Sequence, residues 1–489
     1  MRVSVFARAR LAELHAWAHA RGVALIVVGG ALRDGLLGRR ERLSNIDLAV
    51  AREALRVARE AAEALGAACV PLDEAFGTAR LVFTAPEGER LEIDLAEFRG
   101  ATLDDDLRGR DFTVNALALP LEAWLRDPDG LAGLIDPLGG RAALARRELV
   151  ACGPAAFTED PLRVLRAVRF SAQLALSFAP GLEALMAPSV AALSSVSGER
   201  VRDELLRVFA TDRAGDAVEA LNRLRVFDIL LPEMIPGRDM AQGGFHHLDV
   251  LGHQLEAVRQ SDRILADFRE FSEPLRGPLA AYCAQEVVPH RSRKSLIKLG
   301  CLLHDIGKPE KRGLHEDGDV WFLGHEHAGA ELTAPIVRRL KLSNREGEMV
   351  CALVRHHLRP GFLSREPELT RRALYRFYKD LGEDGPACLL TWWSDRMATR
   401  GPRSRLDQLD QQRQRLEAML TPYFFKPEEV VRPLRLIDGR RLMAELALSP
   451  GPQVGALLSA IEEAQAEGRV HSADEALALA RELSRGQIA

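Results

Sequence analysis

Ten of the thirteen histidines in this 489-residue chain fall between His246 and His357. They occur as HHLDVLGHQ, carrying His253, then LLHDIGKP, carrying His304 and Asp305. GHEHAG carries His325 and His327, VRHHLRP carries His356 and His357, and WWSDR adds Asp395. Neutral imidazoles and carboxylates on successive helical segments suit one or two transition metals. One such histidine would read as a structural residue; the ordered set points to metal binding.

A different chemistry is written near the N-terminus. Val27–Gly38, VVGGALRDGLLG, reads as a strand, a Gly29-Gly30 turn and a helix with Arg33 and Asp34 on its first turns. Two glycines allow close approach of backbone to ligand, and a helix start offers free N–H groups to phosphates. The next strand, SNIDLAV, projects Asn45 and Asp47 to one face. Two carboxylates at that spacing would hold two Mg²⁺ ions for in-line attack on a nucleotide α-phosphate. Here Asp47 is the only carboxylate of the two, and Asp94 in LEIDLAEF can supply another from a neighbouring strand.

Strand signals that could position these groups are confined to the first 120 residues. Val23–Val28, Ile46–Val50, Ala79–Thr84 and Leu91–Ala96 are short apolar or alternating runs, with a helical pattern at Arg52–Leu65. After Asp136-Pro137 apolar residues recur at helical spacing: Leu162–Leu174, Val201–Phe209, Ala217–Leu231 and Ala330–Leu340. Gly/Pro punctuation at Pro232–Gly244 and Thr421–Pro427 marks boundaries. The Arg-rich N-terminal stretch Met1–Gly22 reads as the first helix of the fold rather than a transit peptide.

Composition bounds the rest. The formal charge of −4 argues against a small basic nucleic-acid binder. Of 66 basic residues only seven are lysine, a bias that codon usage explains more simply than phosphate binding. No apolar run of about 18 residues occurs, so no membrane span is expected. Six scattered cysteines without C-x-x-C spacing suggest free thiols in a reducing cytoplasm.

Together with GRDFTVNA (Gly109–Ala116), IDPLGG (Ile135–Gly140) and FTEDPLRVLRAVRF (Phe157–Phe170), the N-terminal motifs closely resemble those of the bacterial tRNA nucleotidyltransferase/poly(A) polymerase family, in the class II branch of polymerase-β-like nucleotidyltransferases. The resemblance implies an α+β, mostly α, chain: a nucleotidyltransferase head with a small mixed sheet (1–147), a helical neck (148–235), a helical domain similar to HD phosphohydrolases (236–420) and a helical tail (421–489). It implies triphosphate binding at Gly29, Gly30, Arg33 and Asp34, and a catalytic metal set of Asp47 with Asp94, where Asn45 replaces the first aspartate. Arg110, Asp111 and Asn115 match the ribose and triphosphate motif. Glu159, Asp160, Arg163 and Arg166 match the set that selects the incoming base. Asp160 can accept from a base amino group while Arg163 donates to ring acceptors; three residues apart, they are expected to share a helix face.

By the same resemblance His253, His304, Asp305, His325, His357 and Asp395 are ligands of Mn, Ni, Fe or Co, with Lys308 toward phosphate. A metal there would activate water for attack on phosphorus. The tail, where Gly451-Pro452 looks like a helix start, would help hold tRNA.

Only Gly100-Ala101-Thr102 separates EFR from LDDDL. Full CCA-adding members carry a longer loop there, so the chain resembles the CC-adding subtype, which uses CTP; ATP is the second candidate nucleotide. A poly(A) polymerase is a rival of the same chemistry. Asn45 motivates a rival of another class, a degenerate head that binds RNA while only the HD domain is an enzyme.

Overall fold

A computed structural model of the chain describes residues 3–39, 43–74, 77–128, 131–316, 318–366 and 368–486. The backbone divides into two compact units, Met1–Val196 and Ser197–Ala489. The division falls inside the stretch read as the neck, so Glu159–Arg166, expected to select the base, belong to the first unit.

In the first unit, helix α1 (Val5–His19) precedes strand β1 (Ile26–Val28) and helix α2 (Gly30–Leu36). Strand β2 (Asn45–Val50) leads into helix α3 (Ala54–Leu65), then strands β3 (Ala68–Asp73), β4 (Thr78–Thr84) and β5 (Arg90–Glu97). Helix α4 (Leu103–Arg108) and strand β6 (Ala118–Pro120) follow. The strands form one mixed sheet in the order β3-β4-β5-β2-β1-β6, with β2 and β5 parallel and the other pairs antiparallel.

The sheet's two faces follow from period-two alternation. Ile46 and Leu48, Ala79, Leu81 and Phe83, and Leu91, Ile93 and Leu95 are all buried. Helix α3 packs on this apolar side through Val57, Ala58, Ala61 and Ala62. The intervening positions Asn45, Asp47, Arg80, Glu92 and Asp94 therefore line the opposite face. Strand β3 is exposed along almost its whole length, as befits an edge. Its weak alternation explains why it carries no signal in the sequence.

The second unit is helical. Val250–Asp267, Arg293–Leu303, His325–Arg339, Asn344–His356 and Gly385–Ala398 surround the histidine cluster. The run expected as one helix over Ala217–Leu231 is two, Ala214–Arg223 and Val226–Leu230. Arg225 caps the second in the left-handed region at φ 61°, a break without glycine or proline to announce it. The C-terminal helices Gly439–Leu446, Pro452–Glu467 and Ala473–Gly486 enclose a small core of Ile437, Leu442, Val454, Leu457 and Ile461. Among the described residues no helix is long and apolar enough to cross a membrane. All six cysteines are free.

Candidate functional site

Register builds the polar face of the head. Asp47 pairs with Asp94 in the parallel β2–β5 ladder, and Asp94 pairs with Arg80 in the antiparallel β4–β5 ladder. The three side chains thus form a row across three strands. Arg80 donates to both Asp94 oxygens, from Nε to Oδ1 at 2.6 Å and from Nη2 to Oδ2 at 2.8 Å. It also pairs with Glu92 at 2.8 Å. Asn45 Nδ2 lies 3.4 Å from Asp94 Oδ2. Asp94, expected to serve a metal, is therefore already committed to a guanidinium. Asp47 has no ion pair within 4 Å among the described residues. Burial and the Asp94 charge push its carboxyl above the ordinary value, against the pull of Arg110, Arg33 and Arg80.

The glycine turn closes over this row. Gly29 adopts φ 71° and ψ −123°, which side chains strongly disfavour. A Cβ there would stand 3.4 Å from Arg110 Nη1 and 3.7 Å from Asp47 Oδ2. Gly30, Arg33 and Asp34 lie on α2 as expected. The buried Arg33 donates to Asp34 at 2.9 and 3.0 Å and to Asn115 Oδ1 at 2.7 Å. Asn115 donates to Asp111 Oδ1 at 3.1 Å, and Arg166 donates twice to Asp111 Oδ2, at 2.9 and 2.6 Å. One continuous network thus runs Asp34–Arg33–Asn115–Asp111–Arg166. Burial acts to raise the Asp111 carboxyl, but Arg166 and the bonds from Asn115 and the Phe112 N–H outweigh it and hold it below the ordinary value. The Phe170 ring lies against the guanidiniums of Arg33, Arg166 and Arg169.

The motif expected to select the base differs from expectation in one respect. Asp160 and Arg163 do not share a helix face. The helix Ala156–Glu159 ends at Asp160, whose φ −145° and ψ 101° are extended, and the next helix begins at Arg163. Pro161 is the cause, since its ring disfavours helical backbone in the preceding residue. Asp160 Oδ1 accepts from the Leu162 N–H at 3.2 Å. Arg163 instead pairs with Glu159 at 3.2 Å and donates to the carbonyls of Gly109, at 2.9 Å, and Ala156, at 3.1 Å.

Three residues of the head escape sequence reasoning. Arg80 needs the β4–β5 register to be seen. Asp106 accepts both Nε and Nη2 of Arg110 at 3.1 and 2.8 Å. Arg99 donates to the Gly109 carbonyl, at 3.2 Å, that Arg163 also uses. The short connection from β5 to α4 is ordered by a capping box between Thr102 and Asp105.

In the second unit the six expected ligands converge. His253 Nε2 lies 2.8 Å from Asp395 Oδ1, and His304 Nε2 lies 3.1 Å from Asp305 Oδ2 and 3.6 Å from Asp395 Oδ1. His325 and His357 place Nε2 at 3.1 and 3.6 Å from Asp305 Oδ1. Two adjoining groups with metal-ligand spacing result: His253, His304 and Asp395, and Asp305, His325 and His357. His327 and His356 belong to neither.

Local structure sets the tautomers. His304, His325 and His357 each bond through Nδ1 to the carbonyl three residues earlier, on Cys301, Phe322 and Val354, at 2.8, 2.7 and 2.7 Å. A carbonyl only accepts, so Nδ1 carries a proton and Nε2 is the atom turned toward the cluster. Gly307 and Gly329 let the His-Asp turn press against the helix that starts at His325, since a Cβ on Gly307 would collide with the His325 carbonyl. Burial pulls the His304 imidazole down, but Asp305 and Asp395 push it up to about 10. For His253 and His357 burial wins and lowers them. Burial raises Asp305 and Asp395, yet His304 and Lys308 hold Asp305, and hydrogen bonds from His253 and His304 hold Asp395, far below the ordinary carboxylate value.

The set fits a metal on its own terms. His304 Nε2 is buried and makes no hydrogen bond, so a metal would give it the partner it lacks, while Asp305 Oδ2 already has the Lys308 ammonium at 2.6 Å.

The chain matches the family models described as Poly A polymerase head domain over residues 25–150, Probable RNA and SrmB- binding site of polymerase A over 176–237, and HD domain over 251–381. It is 36% identical over 460 residues to an A-adding tRNA nucleotidyltransferase of Deinococcus radiodurans, covering 92% of this chain and 94% of the relative. It is 34% identical over 461 residues to a CC-adding tRNA nucleotidyltransferase of Thermus thermophilus, covering 92% of each. Among solved structures, a Bacillus stearothermophilus CCA-adding enzyme in complex with CTP shares the fold, with TM-score 0.60 and 22% identity over 98% of this chain and 97% of that one. A Thermotoga maritima CCA-adding enzyme complexed with tRNA does so as well, with TM-score 0.60 and 20% identity over 98% and 95%. With the motifs, the sheet and nearly the whole length in agreement, the chain belongs to the tRNA nucleotidyltransferase/poly(A) polymerase family and is a tRNA nucleotidyltransferase of the CCA-adding type with an HD domain.

Proposed function

We propose that the head adds C residues from CTP to the 3′ end of tRNA and stops before the terminal A. The observation that carries this reading is the β5–α4 connection, which leaves Phe98–Thr102 between strand and helix and is closed by the Thr102–Asp105 capping box. The tRNA 3′-hydroxyl attacks the CTP α-phosphate and pyrophosphate leaves. Asp47, with the amide oxygen of Asn45, would hold Mg²⁺, which supplies Lewis acidity at the α-phosphate and neutralises developing charge. Gly29 leaves room for the triphosphate beside Arg110, and the Arg33–Asn115–Asp111–Arg166 network fixes the ribose-binding turn against the base-selecting helix. Arg163, anchored to the Gly109 and Ala156 carbonyls, orients the base edge together with Asp160. The helical regions beyond the head would hold tRNA by shape and phosphate contacts, and free thiols fit work in the cytoplasm.

The second unit would act as a metal-dependent phosphohydrolase on phosphate esters, including nucleotides and 2′,3′-cyclic ends. His253, His304, Asp305, His325, His357 and Asp395 would hold one or two of Mn, Ni, Fe or Co. Such an ion supplies a nucleophilic water and charge neutralisation at phosphorus. The convergence of four Nε2 atoms on the buried Asp305 and the partly buried Asp395 supports this reading.

Asn45 and the Arg80–Asp94 clamp favour one further reading, a head that binds RNA without transferring nucleotides. Incubation with tRNA lacking CCA, labelled CTP or ATP, and Mg²⁺ separates the two. Two C residues and no A support CC addition. Incorporation of A onto tRNA ending in CC refutes it, and no incorporation at all favours the RNA-binding head.

A further inference from the structure

His246 also has an orphaned buried polar atom near the HD-type cluster. Its Nδ1 is buried and makes no hydrogen bond, like His304 Nε2. The latter belongs to the ligand set, whereas His246 lies in neither ligand group. Its ring stands edge-on to that of His253, with centroids 4.5 Å apart. Lys308, Asp305 and Asp395 are its charged neighbours.

The segment bearing His246 is tied down on both sides. The Phe245 carbonyl accepts from the Gly401 N–H and from Ser404 Oγ, each at 2.8 Å, and the Gly244 carbonyl accepts from the Arg403 N–H at 2.9 Å. Gln242 donates to the Leu248 and Asp249 carbonyls at 3.2 and 3.0 Å and accepts from Lys308 at 2.6 Å. Lys308 Nζ in turn stands 2.6 Å from Asp305 Oδ2. The loop thus fixes an ammonium and an imidazole beside the same carboxylate. A buried imidazole nitrogen without a partner is costly, and these anchors keep it from turning away. With its proton on Nδ1 the ring lacks an oxygen acceptor next to the ligand set, which is where a phosphate ester bound to the ions would place one.

We propose that His246 is a substrate-contacting residue of the HD-type centre, with its Nδ1–H donating to a phosphoryl oxygen of the ester. This inference rests on the phosphohydrolase reading of that centre. Lys308 faces the same oxygens as a point charge, while His246 contributes direction.

The test uses the full chain loaded with Mn²⁺ or Ni²⁺, 2′,3′-cyclic AMP as substrate and inorganic phosphate as the binding probe. His246→Phe keeps a ring against His253 and removes both nitrogens; His246→Asn keeps a donor near the Nδ1 position. The expected result for His246→Phe is native metal content, with kcat/KM for hydrolysis down about ten- to hundredfold and calorimetric phosphate affinity down about tenfold, the scale of a lost bond to a charged group. His246→Asn should recover most of both. Native hydrolysis and phosphate binding in His246→Phe would overturn the inference alone, as would loss of bound metal, which would make the residue a support of the ligands. Absence of hydrolysis by the native chain, with His304→Ala indistinguishable from it, would end the phosphohydrolase reading as well.

Discussion

Asp47 and Asp94 are register partners on adjacent parallel strands, yet Arg80 holds both oxygens of Asp94 while, among the described residues, no ion pair reaches Asp47. A cation site expected to draw on three side chains thus has one unpaired carboxylate. The neutral amide of Asn45 beside it lowers the local negative charge further.

Restoring that charge is expected to raise activity. Asn45→Asp should increase CTP incorporation at limiting Mg²⁺ at least about fivefold, since a unit charge about 4 Å from an ion is worth about 1–4 kcal/mol between water-like and protein-surface screening. The check is a Mg²⁺ titration of labelled CTP transfer to tRNA lacking CCA. Equal rates at every Mg²⁺ concentration would show that Asn45 is no handicap.

Gly29→Ala should damage nucleotide use more than folding. The backbone strain is about 1–3 kcal/mol, and the new methyl would fill space beside Arg110 and Asp47, which it would touch at ordinary contact distance. KM for CTP should rise about tenfold or more, with a modest drop in melting temperature. A variant with native KM would mean that the triphosphate does not approach this turn.

Removing Arg166 strands a buried carboxylate. Arg166→Ala should cost about 2–4 kcal/mol at neutral pH, at or just below the usual range for broken buried pairs because Arg166 is itself partly exposed. The Asp111 pKa is depressed in the fold, so its stabilisation is complete above the ordinary carboxylate value of about 4 and drains as pH falls through the lower folded value. The gap in melting temperature between native and variant chains should therefore narrow below about pH 4. A gap that widens on acidification would contradict this account of Asp111.

Asp305 touches both ligand groups, through Oδ2 to His304 and Oδ1 to His325 and His357. Asp305→Ala should abolish metal binding altogether, whereas His357→Ala should remove about one ion and leave the group containing His253 and Asp395. Metal content by elemental analysis after dialysis, with and without chelator, decides it. Equal residual metal in the two variants would rule out a bridging Asp305.

Much of the site was legible because its motifs carry local chemistry. The Gly29-Gly30 turn and the Asn45/Asp47 face are set by spacing along single elements, whereas the six-ligand series spans several helices and is legible only through the resemblance to HD phosphohydrolases. Arg80 was not legible, because its meaning lies in the β4–β5 register, and neither was His246, whose significance depends on loop anchors more than 150 residues away in sequence. The Asp160–Arg163 geometry was misread although the signal was present, for Pro161 forbids the helix that the spacing argument assumed. The break at Arg225 had no such marker.

The Nδ1 bonds of His304, His325 and His357 run to carbonyls of their own helix turns or approaches, not to groups that an ion would have to recruit. The receptor for the ion is therefore completed by the folding of the helices. An ion would meet imidazoles whose orientation the fold has already set, and loading or stripping it should leave the helices as they are.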